Sequence, residues 1–323
     1  MKEIIPPVSR ELIEAELTAD KFHRKTNKAD NEIYILTYHN SPNIMREIGR
    51  LRELTFRSAG GGVGEEMDID HYDTRVEHPY KQLIVWDPSR HEILGGYRYI
   101  HCKGLPRDKN GEVPLATSHL FQFSDEFIDD YLPYVIELGR SFVQPDYQSS
   151  KAGAKALFAL DNLWDGLGAL MIDYPDIRYY FGKVTMYTQY DQNARNLILH
   201  FFEKYFPDPD KLVRPIKPMP YNADSLRMAE LFSGKSYDDA YKILSAEVRK
   251  NGENIPPLIN AYMSLTPSMR TFGTAISDEF GDVEETGILL DIDDMYDTKI
   301  DRHVGTYLEE LADKQENPKV RFQ

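Results

Sequence analysis

Along the chain, windows with apolar residues every third or fourth position give way to short runs that are wholly or alternately apolar, so helices and strands take turns. Ile44, Ile48, Leu51 and Thr55 keep helical spacing while Arg46, Arg50 and Glu53 take the other faces, which predicts a helix ending near Phe56. Leu157, Leu160, Leu163 and Leu167 predict another after Lys151, and NARNLILHFFEKYF (193–206) a third. Ser9 is placed to cap a short helix carrying Leu12, Ile13 and Leu17. EIYILTYH (32–39), VIELGRSFV (135–143) and RYYFGKVTMY (178–187) predict strands. QLIVWD and EILGGYRYIH, joined through Pro88-Ser89-Arg90, predict an antiparallel hairpin. From Glu32 the order is strand, helix, hairpin, strand, helix, strand, helix, a mixed α/β arrangement with a βαβα unit in its second half.

Residues 206–220 hold five prolines and mark a boundary. Helices over about 224–232 and 236–250, the segment NIPPLINAYMSL and a late strand TGILLDID follow. The expected organisation is an N-terminal helical segment (1–30), a core (31–210) and a C-terminal extension packed on it (211–323). The glycine-rich AGGGVG (59–64) follows a helix, whereas phosphate loops follow a strand and open a helix, so a flexible loop is expected there.

With 41% apolar residues the 323-residue chain can build a substantial core, and its formal net charge of −15 disfavours nucleic acid as a partner. One cysteine, Cys102, excludes an internal disulfide framework and fits a reducing, cytoplasmic setting, with peripheral contact at the inner face of a membrane left open. Cys102 has no activating motif around it and reads as a packed side chain rather than a nucleophile. The acidic runs DIDDMYD and SDEF lack calcium-loop spacing and the histidines form no HExxH, so no metal is expected.

Residues 137–153, ELGRSFVQPDYQSSKAG, run from a strand through a Pro-Asp-Tyr turn into a small, polar stretch that opens a helix. Such a junction presents unpaired N–H groups and a helix dipole to an anion, although water satisfies most of them. The stretch resembles motif A of the GNAT acyltransferases, with Gln148 and Gly153 in register and Lys151 where that family has its first glycine. A narrower resemblance covers residues 45–295: Leu51-Arg52 with Phe56, Asp70-His71-Tyr72-Asp73, Gly95-Gly96-Tyr97-Arg98, Glu137 to Val143, and Ile255 to Tyr262 follow in order the pattern of ornithine-lipid N-acyltransferases. The same order is shared more loosely with acyl-homoserine-lactone synthases. This resemblance implies a GNAT-like fold, with a mixed, mostly antiparallel central sheet flanked by helices.

It also implies transfer of a long 3-hydroxyacyl chain from acyl carrier protein to the α-amine of glycine or ornithine. The phosphopantetheine-linked donor, on carrier protein or alternatively coenzyme A, would be a substrate, with no cofactor tightly bound. An O-acyltransferase would act next in amino-acid-lipid synthesis. An acyl-CoA-dependent N-acetyltransferase of another amine, or a degenerate acyl-carrier or lipid-binding module, are the alternative readings.

A thioester is already activated, so the amine can attack directly once deprotonated. Glu137 is the first candidate for proton acceptor, with a structural ion pair to Arg140 or Arg98 as the alternative. Asp70 and Asp73 can bind the acceptor's ammonium or hold Arg52 and Arg98, and Arg98 or Arg140 can pair with its carboxylate. Donor-binding residues expected from the resemblance are Arg52, Phe56, Phe142, Val143, Gln148, Ser149, Ser150, Lys151, Ala152, Gly153 and Asn193. Backbone N–H groups near Phe142 and Val143 would face the thioester oxyanion, and Tyr187 would lie near the leaving thiolate or in the core. Lys151, Lys155 and Lys183 are expected to form a basic face for the acidic carrier protein.

Overall fold

The alternating runs assemble into one large sheet, and what matters for function is the place where two of its strands part. The computed structural model describes residues 1–109, 111–148, 154–220 and 225–314. The elements in order are α1 (Arg10–Glu16), β1 (Phe22–Lys25), β2 (Glu32–Leu36), α2 (Pro42–Ser58), α3 (His71–Thr74), β3 (Lys81–Asp87), β4 (Glu92–His101), β5 (Phe121–Phe123) and β6 (Val135–Val143). Then come α4 (Ala154–Asp173), β7 (Tyr179–Met186), α5 (Gln192–Tyr205), β8 (Val213–Pro215), α6 (Ser225–Phe232), α7 (Tyr237–Lys250) and α8 (Pro257–Met263). The last are β9 (Arg270–Ser277), β10 (Val283–Asp291), α9 (Asp297–Ile300) and α10 (Thr306–Asp313).

Eight strands form the main sheet in the order β1-β2-β3-β4-β6-β7-β10-β9, antiparallel throughout except for β6 beside β7. β5 and β8 make a separate small ladder. The fold is thus the mixed, mostly antiparallel α/β sheet flanked by helices. Residues beyond 211 build two of its strands, because β10 runs along the whole of β7 and β9 covers β10. Among the described residues no helix is long and apolar enough to cross a membrane.

β3 explains its continuous apolar sequence: Leu83 and Val85 lie on the face of the sheet that α4 covers, while Ile84 and Trp86 lie on the face that carries α1 and α2. Both faces are buried. β1 and β9 escape the pattern reading for physical reasons. β1 is a four-residue edge strand, FHRK, and β9 is broken by Gly273 at φ +80°, beside a register shift between Thr286 and Ile288 of β10. The glycine-rich turn after α2 is pinned rather than loose. The buried Glu53 carboxylate accepts the N–H groups of Val63 (3.0 Å) and Gly64 (2.8 Å) and an ion pair from Arg57.

β6 and β7 pair only through Val135–Tyr179, Ile136–Tyr180 and Glu137–Phe181. Beyond that point the β4–β6 register shifts between Gly96 and Arg98, Arg140 takes the left-handed φ of +48°, and β6 leaves β7. Two glycines permit the close approaches that frame this parting. A Cβ on Gly182 would lie 2.8 Å from the Leu138 carbonyl oxygen, and one on Gly95 only 2.4 Å from that of Phe142. Gly95→Ala is therefore expected to cost about 2 kcal/mol or more of stability in urea melts, because backbone must move. An unchanged midpoint would show that β6 can yield there.

Candidate active site

Where β6 and β7 part, a cavity of about 550 Å³ opens between them, in the range of small-molecule sites. Its walls differ on the two faces of the sheet. On the side of α4 and α8 they are mostly apolar: Tyr97, Leu138, Tyr180, Val184, Tyr262 and Leu290, with Leu160 and the turn Pro256–Ile259 closing over them. On the opposite side stand Arg140, Lys183, Thr185, Tyr187 and Glu285 under the rings of Phe56 and Phe280. Strand alternation makes this division, since Lys183 and Thr185 point away from Tyr180 and Val184 on the same strand.

Within the apolar half the Tyr97 hydroxyl is buried, near the hydroxyls of Ser141 and Tyr262 but in no close hydrogen bond. In the polar half the Glu285 carboxylate is fully buried. It accepts from Thr185 Oγ1 at 2.8 Å and pairs with Lys183 Nζ. Burial pushes the Lys183 ammonium below its ordinary range, against the pull of Glu285. It also pushes the Tyr187 hydroxyl up to about 12, with the Glu285 charge adding to the rise.

Behind the cavity lies a buried ionic cluster. Arg98 Nη1 reaches Asp70 Oδ2 at 2.7 Å and Asp73 Oδ2 at 3.3 Å, and Arg52 Nη1 reaches Asp73 at 3.2 Å. Gln82 bridges the pair, donating to Asp73 at 2.8 Å and accepting from Arg52 at 2.5 Å. Arg140 Nε sits 2.7 Å from Asp68, and its guanidinium lies 4.5 Å from the Phe280 ring centroid. Three guanidiniums thus answer three aspartates, which is how so many charges tolerate burial. The sequence Asp70-His71-Tyr72-Asp73 forms a capping box on α3, each aspartate accepting the other's N–H, so local structure aims both carboxylates at the arginines. Burial opposes the charge on Asp70, but Arg98 and Arg140 outweigh it and hold the carboxyl at about 2.

The structure divides the residues singled out from the sequence. Phe56, Arg140, Phe142, Val143, Gln148 and Tyr187 line the cavity. Arg52, Asp70, Asp73 and Arg98 do not; they belong to the cluster behind it, with Asp70 and Asp73 holding the arginines. Glu137 is 1% exposed and lies at the closed end of the strand pair, outside the cavity lining. Its carboxylate accepts the Tyr80 hydroxyl and the N–H groups of Thr117 (3.0 Å) and Ala116 (3.3 Å), tying the loop before β5 to β6. Burial raises it despite those bonds.

Asn193 is exposed at the start of α5, its N–H held by the capping Asp191 at 2.9 Å, and stays away from the cavity. Lys183 is turned into the cavity rather than onto a docking face. Ser149, Ser150, Lys151, Ala152 and Gly153 lie outside the described residues, as does the side chain of Lys155. Cys102 is buried in an apolar cluster with Tyr80, Val113 and Phe127, where burial raises its thiol far above its ordinary value. Glu285, Thr185, Tyr97 and Phe280 were missed. The traceable signal was Lys-x-Thr at alternate positions of the strand 178–187, a polar stripe on an otherwise apolar element.

Residues 51–157 match the acetyltransferase (GNAT) domain family. Over 318 residues the chain is 57% identical to a glycine N(alpha)-acyltransferase of Bacteroides thetaiotaomicron, covering 98% of this chain and 94% of that one. It is 55% identical over 310 residues to a glycine N(alpha)-acyltransferase of Phocaeicola vulgatus, covering 96% and 95%. Among solved structures, FeeM, an N-acyl amino acid synthase from uncultured soil microbes, matches with a TM-score of 0.38 and 11% identity over 81% of this chain and 91% of that one.

The cluster sets an acid limit on stability. Asp70 is depressed from 3.8 to about 2, so the unfolded chain binds its proton first on acidification. Its contribution is complete above a pH of about 4 and is lost as pH falls towards 2. Asp70→Asn is expected to lower stability at neutral pH and to flatten the acid limb of a denaturation series. Curves for the two proteins running parallel below pH 4 would contradict this. Arg98→Met, which leaves two guanidiniums to answer three aspartates in the cluster, is expected to cost about 3–5 kcal/mol.

Proposed function

The chain belongs to the same family as these two glycine N(alpha)-acyltransferases, and from that premise we propose that it moves a long-chain 3-hydroxyacyl group from a phosphopantetheine thioester to the α-amine of glycine. The observation that carries this reading is the two-sided cavity between β6 and β7. An acyl chain needs the apolar face, an amino acid needs charge, and the parted strands let the two meet at one carbonyl carbon.

In this reading the acyl chain lies against Leu138, Val184 and Leu290, and the buried Tyr97 hydroxyl faces the donor's 3-hydroxyl. N–H groups near Phe142 and Val143, just past the bulge in β6, are the candidates to meet the thioester oxygen as it gains charge. The deprotonated amine attacks the carbonyl carbon, a C–N bond forms, the C–S bond breaks, and the pantetheine thiolate leaves. Tyr187, kept protonated by burial, is placed on the cavity wall to supply a proton to it. Glu137 acts here through the loop it ties down, as a positioning residue for β6.

Acyl carrier protein is the proposed donor on the strength of the resemblance of residues 143–153, with acyl-coenzyme A as the competitor. The N-acyl amino acid is a lyso-lipid suited to a second acylation on oxygen by a partner enzyme at the inner face of a membrane.

The test offers purified protein 3-hydroxypalmitoyl-acyl carrier protein, palmitoyl-CoA and acetyl-CoA, each with pooled amino acids, and identifies products by mass spectrometry. N-(3-hydroxypalmitoyl)glycine from the carrier-bound donor is expected. A clear preference for acetyl-CoA, or for another amine, would overturn the proposal. Tyr97→Phe is expected to lose about tenfold of the preference for 3-hydroxyacyl over unsubstituted acyl donors, the worth of one hydrogen bond. An unaltered preference would remove Tyr97 from this role.

A further inference from the structure

Lys183 and Glu285 form a charge pair that the sheet does not need. β7 and β10 are already registered by eight backbone partners, with Glu285 directly opposite Thr185, and Lys183 two residues away on the same face. A buried ion pair in such a ladder is often no more stabilising than two apolar side chains. Yet this pair stands on the cavity wall, beside the half-buried Arg140, with Lys183 Nζ 5.8 Å and the Arg140 guanidinium 4.5 Å from the Phe280 ring centroid. Arg140 has its own partners, Asp68 at 2.7 Å and Asp70 at 3.8 Å, and among the described residues the hydrogen bonds and ion pairs of Lys183 and Glu285 run to each other and to Thr185.

We propose that Lys183 and Glu285 are the acceptor subsite, in which a small α-amino acid binds as its zwitterion, carboxylate to Lys183 and ammonium to Glu285. This rests on the acyl-transfer reading above and specifies its acceptor end. The zwitterion carries one charge of each sign, so it inserts between the two side chains without changing the net charge buried. Each protein group exchanges one opposite partner for another.

Glu285 then touches the reacting nitrogen and has a catalytic part. The ammonium loses two protons in the reaction. Glu285 accepts the first, freeing the lone pair that forms the C–N bond, and passes it to solvent. The second leaves nitrogen as the C–S bond breaks and replaces on Tyr187 the proton that the tyrosine gives to the departing thiolate. The sum is thioester plus glycine zwitterion giving N-acylglycine carboxylate, thiol and one released proton.

The experiment compares the full chain with Lys183→Met, Glu285→Gln, the conservative Lys183→Arg and the charge-balanced double variant, using the donor active with the wild type. Acceptors are glycine and glycinamide, which lacks the carboxylate. The wild type is expected to favour glycine strongly. Lys183→Met is expected to lower kcat/KM for glycine at least about tenfold more than for glycinamide, with Lys183→Arg restoring much of the difference. Glu285→Gln is expected to lose about a hundredfold in kcat, with the donor KM unchanged.

The double variant leaves no charge stranded, so its melting temperature separates misfolding from lost recognition. If it is folded and still distinguishes glycine from glycinamide at near wild-type rates, the subsite is elsewhere and the acyl-transfer reading stands. A wild-type protein that acylates no amino acid from any donor overturns both.

Discussion

Arg140 occupies the left-handed backbone region, unusual for a side chain of its size, and the bulge it creates in β6 determines where the sheet opens. A strand that continued in register would pair with β7 along its length and leave no cavity. The ion pair to Asp68 at 2.7 Å and the Phe280 ring at 4.5 Å help to hold the strained residue. Both partners come from distant parts of the chain, so the opening depends on the fold as a whole.

The ionic cluster behind β6 makes that dependence rigid. Asp68, Asp70 and Asp73 sit in and just before α3, Arg52 on α2, Arg98 on β4 and Arg140 on β6, so their pairing fixes three elements around the bulge. Glu137 does comparable work at the closed end of the strand pair, where it fastens the loop at Ala116 and Thr117. These groups are charged yet withdrawn from the cavity. Among the described residues the charges facing it are Arg140, Lys183 and Glu285, a simpler set than the acidic and basic motifs of the sequence suggest.

Much of this was legible from local pattern. Helical spacing in α2 and the continuous apolar run of β3 report burial directly, and the capping box at Asp70 and Asp73 is a local device. The ordered motifs placed Phe56, Phe142, Val143 and Gln148 on the cavity wall. What escaped were features made by register between distant strands. Glu285 reads as one acid in an acidic stretch until β10 is laid along β7 and brings it opposite Thr185. Lys183 reads as a surface lysine for the same reason. Analogy aims Glu137 at the cleft, but its side chain leaves the strand where β6 and β7 are still paired.

The central claim is that one cavity joins an apolar chain site on one face of the sheet to a charged head-group site on the other. It is tested most directly by a crystal structure of the protein with N-(3-hydroxypalmitoyl)glycine. The account places the chain against Leu138, Val184 and Leu290, the amide between β6 and β7, and the carboxylate on the side of Lys183. A product bound outside the parted strands, or with its chain on the face of Lys183 and Glu285, would contradict it.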